Sequence, residues 1–231
     1  MTDRPRHIVI LTGAGISAES GVPTFRASDG LWCGHPVEKV ATPEGFAADP
    51  ALVQDFYNQR RRQLAEVAPN AAHHALAKLA AEWEGEFLLV TQNVDDLHDR
   101  AHAALSPGPG FGLIHMHGEL LKARHVETGA VQDWSDDIPV ESALRPHIVW
   151  FGEMPIFMDE ILDQIDHCTA LLVAGSSGSV YPAASFVQWA WRRKVRTYYV
   201  GPERPLNADV FTELVLDKAG HALPGLFHVR A

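Results

Sequence analysis

Cysteine is scarce in this sequence of 231 residues. Only Cys33 and Cys168 are present, and they form no Cys-x-x-Cys pair. A disulfide framework needs an even set of cysteines in a short chain, and a thiolate metal cage needs closely spaced pairs. The sequence therefore argues against both kinds of protein, and we expect two ordinary thiols.

A long hydrophobic run is missing as well. The first apolar stretch, residues 8–11, is far too short for a signal peptide or a membrane span. No low-complexity tract is present, and a content of 46% hydrophobic and 21% charged residues is typical of a soluble globular protein. We expect a cytoplasmic protein with no membrane partner.

Positive charge is in deficit. Lysine and arginine together number 19 against 29 aspartate and glutamate residues, so the formal net charge is -10. Proteins that bind a phosphate backbone need clustered Lys and Arg to release counterions. We therefore predict no nucleic-acid partner, and we expect a monomer.

Short apolar runs alternate along the chain with segments of helical period. Five runs have the length of buried parallel strands, namely residues 8–11, 87–90, 113–116, 171–174 and 197–200. Helices are predicted at residues 50–66, 70–83, 158–165, 183–194 and 208–217. This alternation predicts an α/β fold, a Rossmann-like doubly wound parallel sheet.

Two stretches fit the alternation badly. Residues 27–62 contain no clear strand, and residues 121–144 are polar and rich in turn residues. We predict that a smaller inserted module comprises residues 31–66 and 121–144. The large sheet domain then comprises residues 1–30, 67–120 and 145–231, an arrangement for which the chain is long enough.

A glycine-rich motif, Gly13-Ala14-Gly15-Ile16-Ser17-Ala18, follows the first predicted strand. It has the G-x-G-x-x-A form in which glycines let the backbone approach a pyrophosphate at a helix N-terminus. Any tight strand-to-helix turn can recruit two glycines, so the motif alone leaves dinucleotide binding open. No second strand ending in Asp or Glu follows about 20 residues later, which disfavours a hydride-transferring dehydrogenase.

Three further segments follow predicted strands, where ligands bind in open α/β sheets. Residues 91–98 carry amide and carboxylate groups suited to a ribose or an amide, although a simple polar turn would look the same. His115 and His117 lie two apart and share a strand face, and a histidine there can act as a general base. Residues 175–182 form a small-residue loop that lets backbone amides approach a ligand.

Taken in order, these segments resemble the signature blocks of the sirtuins. The resemblance covers nearly the whole chain, and its blocks are residues 13–17 (GAGIS), 21–26 (GVPTFR), 92–95 (QNVD), 117–119 (HGE), 149–153 (VWFGE) and the loop that begins at Gly175. It is closest to the class that removes acidic acyl groups from lysine, because Tyr57 and Arg60 match that class's Tyr-x-x-Arg motif. Ala41 matches the small residue that widens the acyl pocket.

The resemblance implies an NAD-dependent protein-lysine deacylase that consumes NAD as a cosubstrate. Nicotinamide would leave, the acyl oxygen would attack C1′ of the ribose to give an alkylimidate, and His117 as general base would activate a ribose hydroxyl. Asn93 and Asp95 complete the implied catalytic set. The implied NAD-binding residues are Gly13, Ala14, Gly15, Ile16, Ser17, Phe25, Arg26, Trp32, Gln92, Asn93, Asp95, Gly175, Ser176, Ser177, Gly201 and Ala222.

The resemblance also implies that an acylated-lysine peptide adds as a strand between two loops, residues 149–153 and 178–181. The products would be free lysine, nicotinamide and O-acyl-ADP-ribose, and succinyl, malonyl and acetyl groups are the expected acyl classes. From the residues alone, a solvated helix tract, Arg60-Arg61-Arg62, with only the Tyr57 hydroxyl reaching water, is the favoured interpretation. The implied substrate-binding residues are Ala41, Tyr57, Arg60, Val149, Phe151, Gly152, Glu153, Gly178 and Val180.

Two positions depart from the family pattern. Most sirtuins hold a structural zinc with two cysteine pairs, but residues 122–144 contain no cysteine and His125 stands where a first ligand is expected. Rescue by His125 with nearby carboxylates is disfavoured, so we predict no metal and a module held by packing of Val131, Trp134 and Ile138. Gly201 stands where many sirtuins place an Asn that meets the adenine ribose.

Two alternatives stay open at this point. An enzyme of the same fold could split NAD without a peptide, or transfer ADP-ribose to protein. A module without catalysis could sense NAD or O-acyl-ADP-ribose, although binding alone would not require the base His117.

Overall fold

A six-stranded parallel sheet forms the centre of the computed structural model, which describes residues 7–24, 31–105, 108, 110–178 and 181–226. The strands of this sheet lie in the order β11-β10-β9-β1-β4-β5. Their bounds are β1 (His7–Thr12), β4 (Glu86–Thr91), β5 (Phe111–His115), β9 (Ala170–Ala174), β10 (Arg196–Val200) and β11 (Glu213–Val215).

The remaining strands form two small antiparallel sheets. They are β2 (Leu31–Trp32) with β3 (His35–Pro36), and β6 (Gly118–His125) between β7 (Val131–Asp133) and β8 (Leu144–Ile148). The helices are α1 (Val37–Val40), α2 (Pro43–Ala48), α3 (Pro50–Leu64), α4 (Ala71–Glu82), α5 (Leu97–Ala103), α6 (Met158–His167), α7 (Ala183–Arg192) and α8 (Ala219–Leu226).

Helices cover both faces of the large sheet, which explains why β1 is buried along its whole length. Val9 and Leu11 pack on one face with Ile161 of α6 and Phe186 of α7. Alternate residues of the same strand pack on the opposite face against α4 and α8. The predicted Rossmann-like, doubly wound parallel sheet is confirmed.

All five predicted strands are present, but the helix predicted at residues 208–217 is wrong. Only a single 3-10 turn, Ala208–Val210, forms there, and the chain then adds β11 to the edge of the sheet. Tyr199 of β10 pairs with Leu214 of β11, so backbone pairing overrides the weak helical pattern of this stretch. The short helices α5 and α8 were not predicted.

A third hydrophobic cluster unites the two segments assigned to the smaller module. Val40, Val53 and Tyr57 of the first segment pack with Leu120 and Trp150, which flank the second. The helices α1, α2 and α3 therefore share one core with β6 and β8. The exact boundaries of the module stay a prediction.

The core predicted within residues 121–144 is wrong in part. Val131 is 47% exposed, and Trp134 is only half-buried, whereas Ile138 is buried as expected. Polar residues of α3 hold this region instead. The Asn58 amide accepts a bond from the Ile138 backbone N–H at 2.9 Å and donates to its carbonyl at 3.1 Å, and Arg61 donates to the Leu120 carbonyl at 2.8 Å.

Histidine and acidic side chains do not gather into a metal site in the part of the chain that the structure describes, where no group of three or more His, Cys, Asp or Glu could hold an ion. The His125 ring instead accepts hydrogen bonds from the Glu127 and Thr128 backbone N–H groups, both at 3.3 Å. His125 thus caps the turn between β6 and β7. The described residues also include no helix long and apolar enough to cross a membrane.

We predict that the purified protein contains no stoichiometric zinc and keeps its melting temperature in the presence of a chelator. We expect packing and the polar contacts of α3 to stabilise the β6–β8 region. Asn58→Ala should therefore lower the free energy of unfolding by about 1–3 kcal/mol, the cost of leaving buried backbone groups unpaired. Metal analysis that finds one zinc per chain would contradict this account.

Candidate active site

The candidate site lies at the carboxyl edge of the large sheet. The loops after β1, β4, β5, β9 and β10 meet there, and most of the predicted NAD-binding residues lie on them. Parallel strands bring their carboxyl ends to one edge, where ligands of open α/β sheets bind. The predicted residues Phe25, Arg26 and Val180 lie outside the described residues.

Glycines bring two of these loops into direct backbone contact. The Gly13 N–H donates to the Ala174 carbonyl at 3.0 Å, and the Gly15 N–H donates to the Gly175 carbonyl at 2.8 Å. A Cβ atom on Gly15 would lie 2.8 Å from the Gly175 oxygen, and one on Gly175 would lie 2.4 Å from the Ile16 nitrogen. The fingerprint glycines therefore serve loop-to-loop contact as well as any approach of a ligand.

Ser17 connects the fingerprint to the loop after β4. Its hydroxyl donates to Asp95 Oδ2 at 2.9 Å and accepts from the Asn93 amide at 3.0 Å. All three side chains are buried. Burial raises the pKa of Asp95, and the hydrogen bonds from Ser17 and the Leu97 backbone N–H offset part of that rise. The arrangement presents a fixed amide and carboxylate beside the buried Ile16.

His73 and His98 support this cluster from behind, and the sequence analysis did not identify either. The Asn70 N–H donates to His73 Nδ1 at 3.3 Å, so Nε2 carries the proton that faces the Ser17 hydroxyl at 3.5 Å. Burial lowers the pKa of His73 to about 4. His98 Nε2 lies 3.1 Å from the Thr12 hydroxyl. The Asn70 cap of α4 was the available signal, because His73 completes a capping box with it.

His117 has the geometry of a general base. Its Nδ1 lies 3.0 Å from the Gln92 carbonyl, and because a carbonyl only accepts, Nδ1 carries the proton. The Nε2 atom of the neutral ring is then free of a proton. Burial lowers the pKa of His117 and the bond to Gln92 partly opposes this, so the ring is a base at neutral pH and loses that function as the pH falls.

His115 has a different environment from His117. It ends β5, and its Nε2 lies 2.9 Å from Asp99 Oδ2 on α5. Burial alone would lower its pKa, but the hydrogen bond and charge of Asp99 outweigh burial, and the net pKa is raised. Because Nε2 of His115 is bonded to a carboxylate and its Nδ1 is buried, His117 is the better placed of the two for the role of base.

The predicted acyl-pocket residues lie close together on α3 and beside it. Tyr57 is 0% exposed, and its oxygen accepts a hydrogen bond from the Trp150 indole at 2.9 Å. The alternative interpretation, in which Tyr57 belongs to a solvated helix face, is therefore wrong for this residue. The Arg60 guanidinium lies 3.4 Å from the centre of the Phe56 ring and lines a cleft together with Trp32 and Asp95.

Ala41 is joined to the 149–153 loop. The Ala41 carbonyl accepts from the Phe151 N–H at 2.9 Å, and the His117 carbonyl accepts from the Val149 N–H at the same distance. Gly152 has a φ of +90° at the tip, and the Phe151 side chain is 48% exposed. The loop that is predicted to bind peptide is thus attached to both the base and the acyl pocket.

Glu153 fixes the shape of this loop. Arg145 donates to both of its carboxylate oxygens at 2.8 Å, Arg124 donates at 3.1 Å, and the Trp150 N–H donates at 2.8 Å. Burial raises the pKa of Glu153, but these donors outweigh burial and the net pKa is lowered. Its carboxylate is therefore saturated by the protein, and any contact with substrate would come from its backbone.

The remaining predicted residues line the outer rim of the same edge. Gln92 donates to the Ser176 hydroxyl at 3.2 Å, and Ser177 follows directly. Beyond them, a Cβ atom on Gly201 would lie 2.3 Å from the Tyr199 hydroxyl, which donates to the Glu203 carbonyl. A side chain at position 201 would therefore require the Tyr199 phenol to move. Other predicted residues of the rim are Ala14, Gly178 on the loop after β9, and Ala222 on α8.

Fold and site together are those of an α/β protein with a candidate ligand site at the carboxyl edge of its sheet, a candidate base and an adjoining cleft. The family model described as the Sir2 family matches residues 13–182, more than half of the chain. The NAD-dependent protein deacylase of Pasteurella multocida (strain Pm70) is 50% identical over 235 residues, covering 97% of this chain and 97% of that protein. The NAD-dependent protein deacylase of Escherichia coli (strain K12) is 49% identical over 233 residues, covering 96% and 81%.

Solved structures give the same result. A Sir2 homologue in complex with NAD has a TM-score of 0.87 and 34% identity, covering 98% of this chain and 90% of that one. A Sir2 protein bound to an acetylated peptide has a TM-score of 0.82 and 26% identity, covering 98% and 94%. The chain belongs to the Sir2 family, the sirtuins.

We predict that Gly175→Ala destabilises the protein more than Gly129→Ala. Both glycines have positive φ values, +67° and +72°, but only Gly175 is crowded by backbone, whereas nothing lies within 4 Å of a Cβ on Gly129. Gly129→Ala should cost about 1–2 kcal/mol from conformation alone. Gly175→Ala should cost about 1–3 kcal/mol more from overlap. Denaturant unfolding measures both, and equal losses would refute the loop-to-loop constraint.

We predict that His117→Ala lowers deacylation by about 100-fold or more, the usual scale for loss of a general base. NAD binding, measured by calorimetry, should be nearly intact because the ring bonds only to Gln92 within the described site. His167→Ala provides a control, since His167 is an exposed histidine on α6. Unchanged turnover in His117→Ala would remove this residue from the mechanism.

Proposed function

We propose that this sirtuin is an NAD-dependent lysine deacylase that removes acyl groups bearing a terminal carboxylate, such as succinyl and malonyl, in addition to acetyl. The observation that carries the proposal is a guanidinium, Arg60, in the cleft that also contains Asp95. The relatives named above as NAD-dependent protein deacylases support the general activity.

The residues at the sheet edge fit NAD as the cosubstrate. The loops at Gly15 and Gly175 meet through backbone alone at the sheet edge, and the Ser17 cluster holds Asn93 and Asp95 in a buried position beside them. NAD supplies an activated ribose once nicotinamide leaves. Asn93 and Asp95 orient the nicotinamide end, and burial of this cluster excludes water from the reacting carbon.

His117 then provides the base. Its unprotonated Nε2 removes a proton from a ribose hydroxyl, while the Gln92 carbonyl holds Nδ1–H and stabilises the ring as it becomes charged. The acyl oxygen bonds to C1′ as nicotinamide leaves, the ribose hydroxyl then bonds to the acyl carbon, and one water molecule replaces the lysine nitrogen there, so that free lysine and O-acyl-ADP-ribose are released. The Val149 N–H donates to the His117 carbonyl, and this bond fixes the position of the base relative to the loop that is proposed to bind peptide.

Arg60 supplies the selectivity for acidic acyl groups. A buried carboxylate without a partner is costly, whereas a guanidinium offers paired donors that match its geometry. The Arg60 cation lies over the Phe56 ring and bonds to the Phe56 carbonyl, which holds the side chain in the cleft. Tyr57, one helical turn away, adds a neutral phenol, because burial raises its pKa.

One assay tests the function as a whole. The protein is incubated with NAD and matched acetyl-, succinyl- and malonyl-lysine peptides, and all products are identified by mass. We expect free-lysine peptide, nicotinamide and the corresponding O-acyl-ADP-ribose. Nicotinamide with ADP-ribose and no change in the peptide would instead indicate an NAD glycohydrolase, and a gain of ADP-ribose on protein would indicate a transferase. No turnover with tight NAD binding would indicate a sensor.

We predict that Arg60→Met raises the activation free energy of desuccinylation by about 2–5 kcal/mol, the scale for leaving a buried charge unpaired. Deacetylation should change much less, since an acetyl group has no distal charge. Arg62→Met is the matched control, because Arg62 lies two positions along the same helix with an exposed side chain. If both activities of Arg60→Met fell in proportion, Arg60 would be a structural residue and the acidic-acyl assignment would fail.

A further inference from the structure

Trp150 and Tyr57 are 93 positions apart in sequence but share a buried hydrogen bond. The indole Nε1–H donates to the Tyr57 oxygen at 2.9 Å. Both side chains are inaccessible, with exposures of 2% and 0%. The bond joins the loop at residues 149–153 to the helix that carries the acyl-pocket motif.

The direction of this bond determines what the phenol can do next. An indole N–H only donates, so the Tyr57 oxygen is the acceptor and its own proton is left to point elsewhere. Among the described residues, no acceptor is bonded to that proton. A phenol that already accepts one hydrogen bond is also a stronger donor, because neighbouring bonds polarise one another. The Tyr57 hydroxyl therefore keeps its own proton for a further acceptor.

The indole itself is held from its other side. The Arg145 guanidinium lies 3.5 Å from the ring centre, and Arg145 is fixed by two bonds of 2.8 Å to the Glu153 carboxylate. Glu153 also accepts from the Trp150 backbone N–H at 2.8 Å. The Phe46 ring packs nearby, with centroids 5.3 Å apart. Trp150 thus has little freedom to rotate away from Tyr57.

The residues on either side of Trp150 are anchored as well. Val149 donates to the His117 carbonyl, and Phe151 donates to the Ala41 carbonyl, both at 2.9 Å. Three consecutive residues therefore contact the base, the phenol and the small residue of the acyl pocket. A substitution that moves Trp150 would therefore also move residues of the predicted acyl pocket.

We propose that Trp150 is a positioning residue that determines acyl specificity, because its N–H orients the Tyr57 hydroxyl toward the distal carboxylate of an acidic acyl group. This inference rests on the proposed function. Without the indole donor, the Tyr57 hydroxyl donates to a protein group or rotates, and the acyl carboxylate loses a hydrogen bond. An acetyl group lacks that carboxylate, so its binding depends less on the orientation of the phenol.

The test compares Trp150→Phe with Trp83→Phe, a tryptophan that packs on the other face of the large sheet against α4 and Phe87. KM and kcat are measured for matched succinyl- and acetyl-lysine peptides. We expect Trp150→Phe to raise KM for the succinyl peptide relative to the acetyl peptide by about 3- to 10-fold, the range that corresponds to one hydrogen bond. Trp83→Phe should leave the ratio unchanged.

Tyr57→Phe completes a double-mutant cycle, because it removes the oxygen that accepts the Trp150 hydrogen bond. It should raise the succinyl-to-acetyl KM ratio by at least as much as Trp150→Phe, and the double variant should be no worse than Tyr57→Phe alone. Additive effects, a proportional loss of both activities, or an unchanged ratio in Tyr57→Phe would each overturn the inference. Wild-type enzyme that fails to remove succinyl groups would overturn the proposed function itself, and the inference with it.

Discussion

Two loops of this protein can meet only because they carry glycine. Gly15 of the fingerprint and Gly175 after β9 approach until an amide N–H of one bonds to the carbonyl of the other, and a Cβ atom on either would overlap backbone. That contact fixes the turn after β1 and therefore the position of Ser17. Ser17 in turn holds Asn93 and Asp95 in a buried cluster. The nucleotide edge thus depends on backbone approach before any side chain contributes.

A second set of contacts attaches the acyl pocket to this edge. The segment 149–151 bonds to the His117 and Ala41 carbonyls, and its indole bonds to Tyr57. Charged groups hold the segment, since Arg145 donates two hydrogen bonds to the Glu153 carboxylate. Arg145 Nε has no hydrogen-bond partner among the described residues, and such a pair is costly unless its polar atoms are satisfied, so its value lies in geometry more than in stability.

Much of the sheet was predictable because buried parallel strands leave continuous apolar runs that stand out in a sequence. β11 leaves no such run, because it is a three-residue edge strand that forms by pairing with β10. At the site, the glycines and His117 carried local signals. The Asn70 cap marks His73 only as part of a helix start. The contact of His73 with Ser17, 56 positions away, and the bond of Trp150 to Tyr57, 93 positions away, have no local signal. Val131 is exposed because it lies on β7, an edge strand of the small sheet.

The central claim is that the sheet edge, the base His117 and the adjoining cleft with Arg60 act on one acyl-lysine substrate and NAD. A crystal structure of the His117→Ala variant with NAD and a succinyl-lysine peptide tests it most directly. The account predicts nicotinamide beside Asn93 and Asp95, and the succinyl carboxylate within hydrogen-bond distance of Arg60 and the Tyr57 hydroxyl. An acyl chain that points to solvent, or NAD bound away from the Gly15 and Gly175 loops, would contradict it.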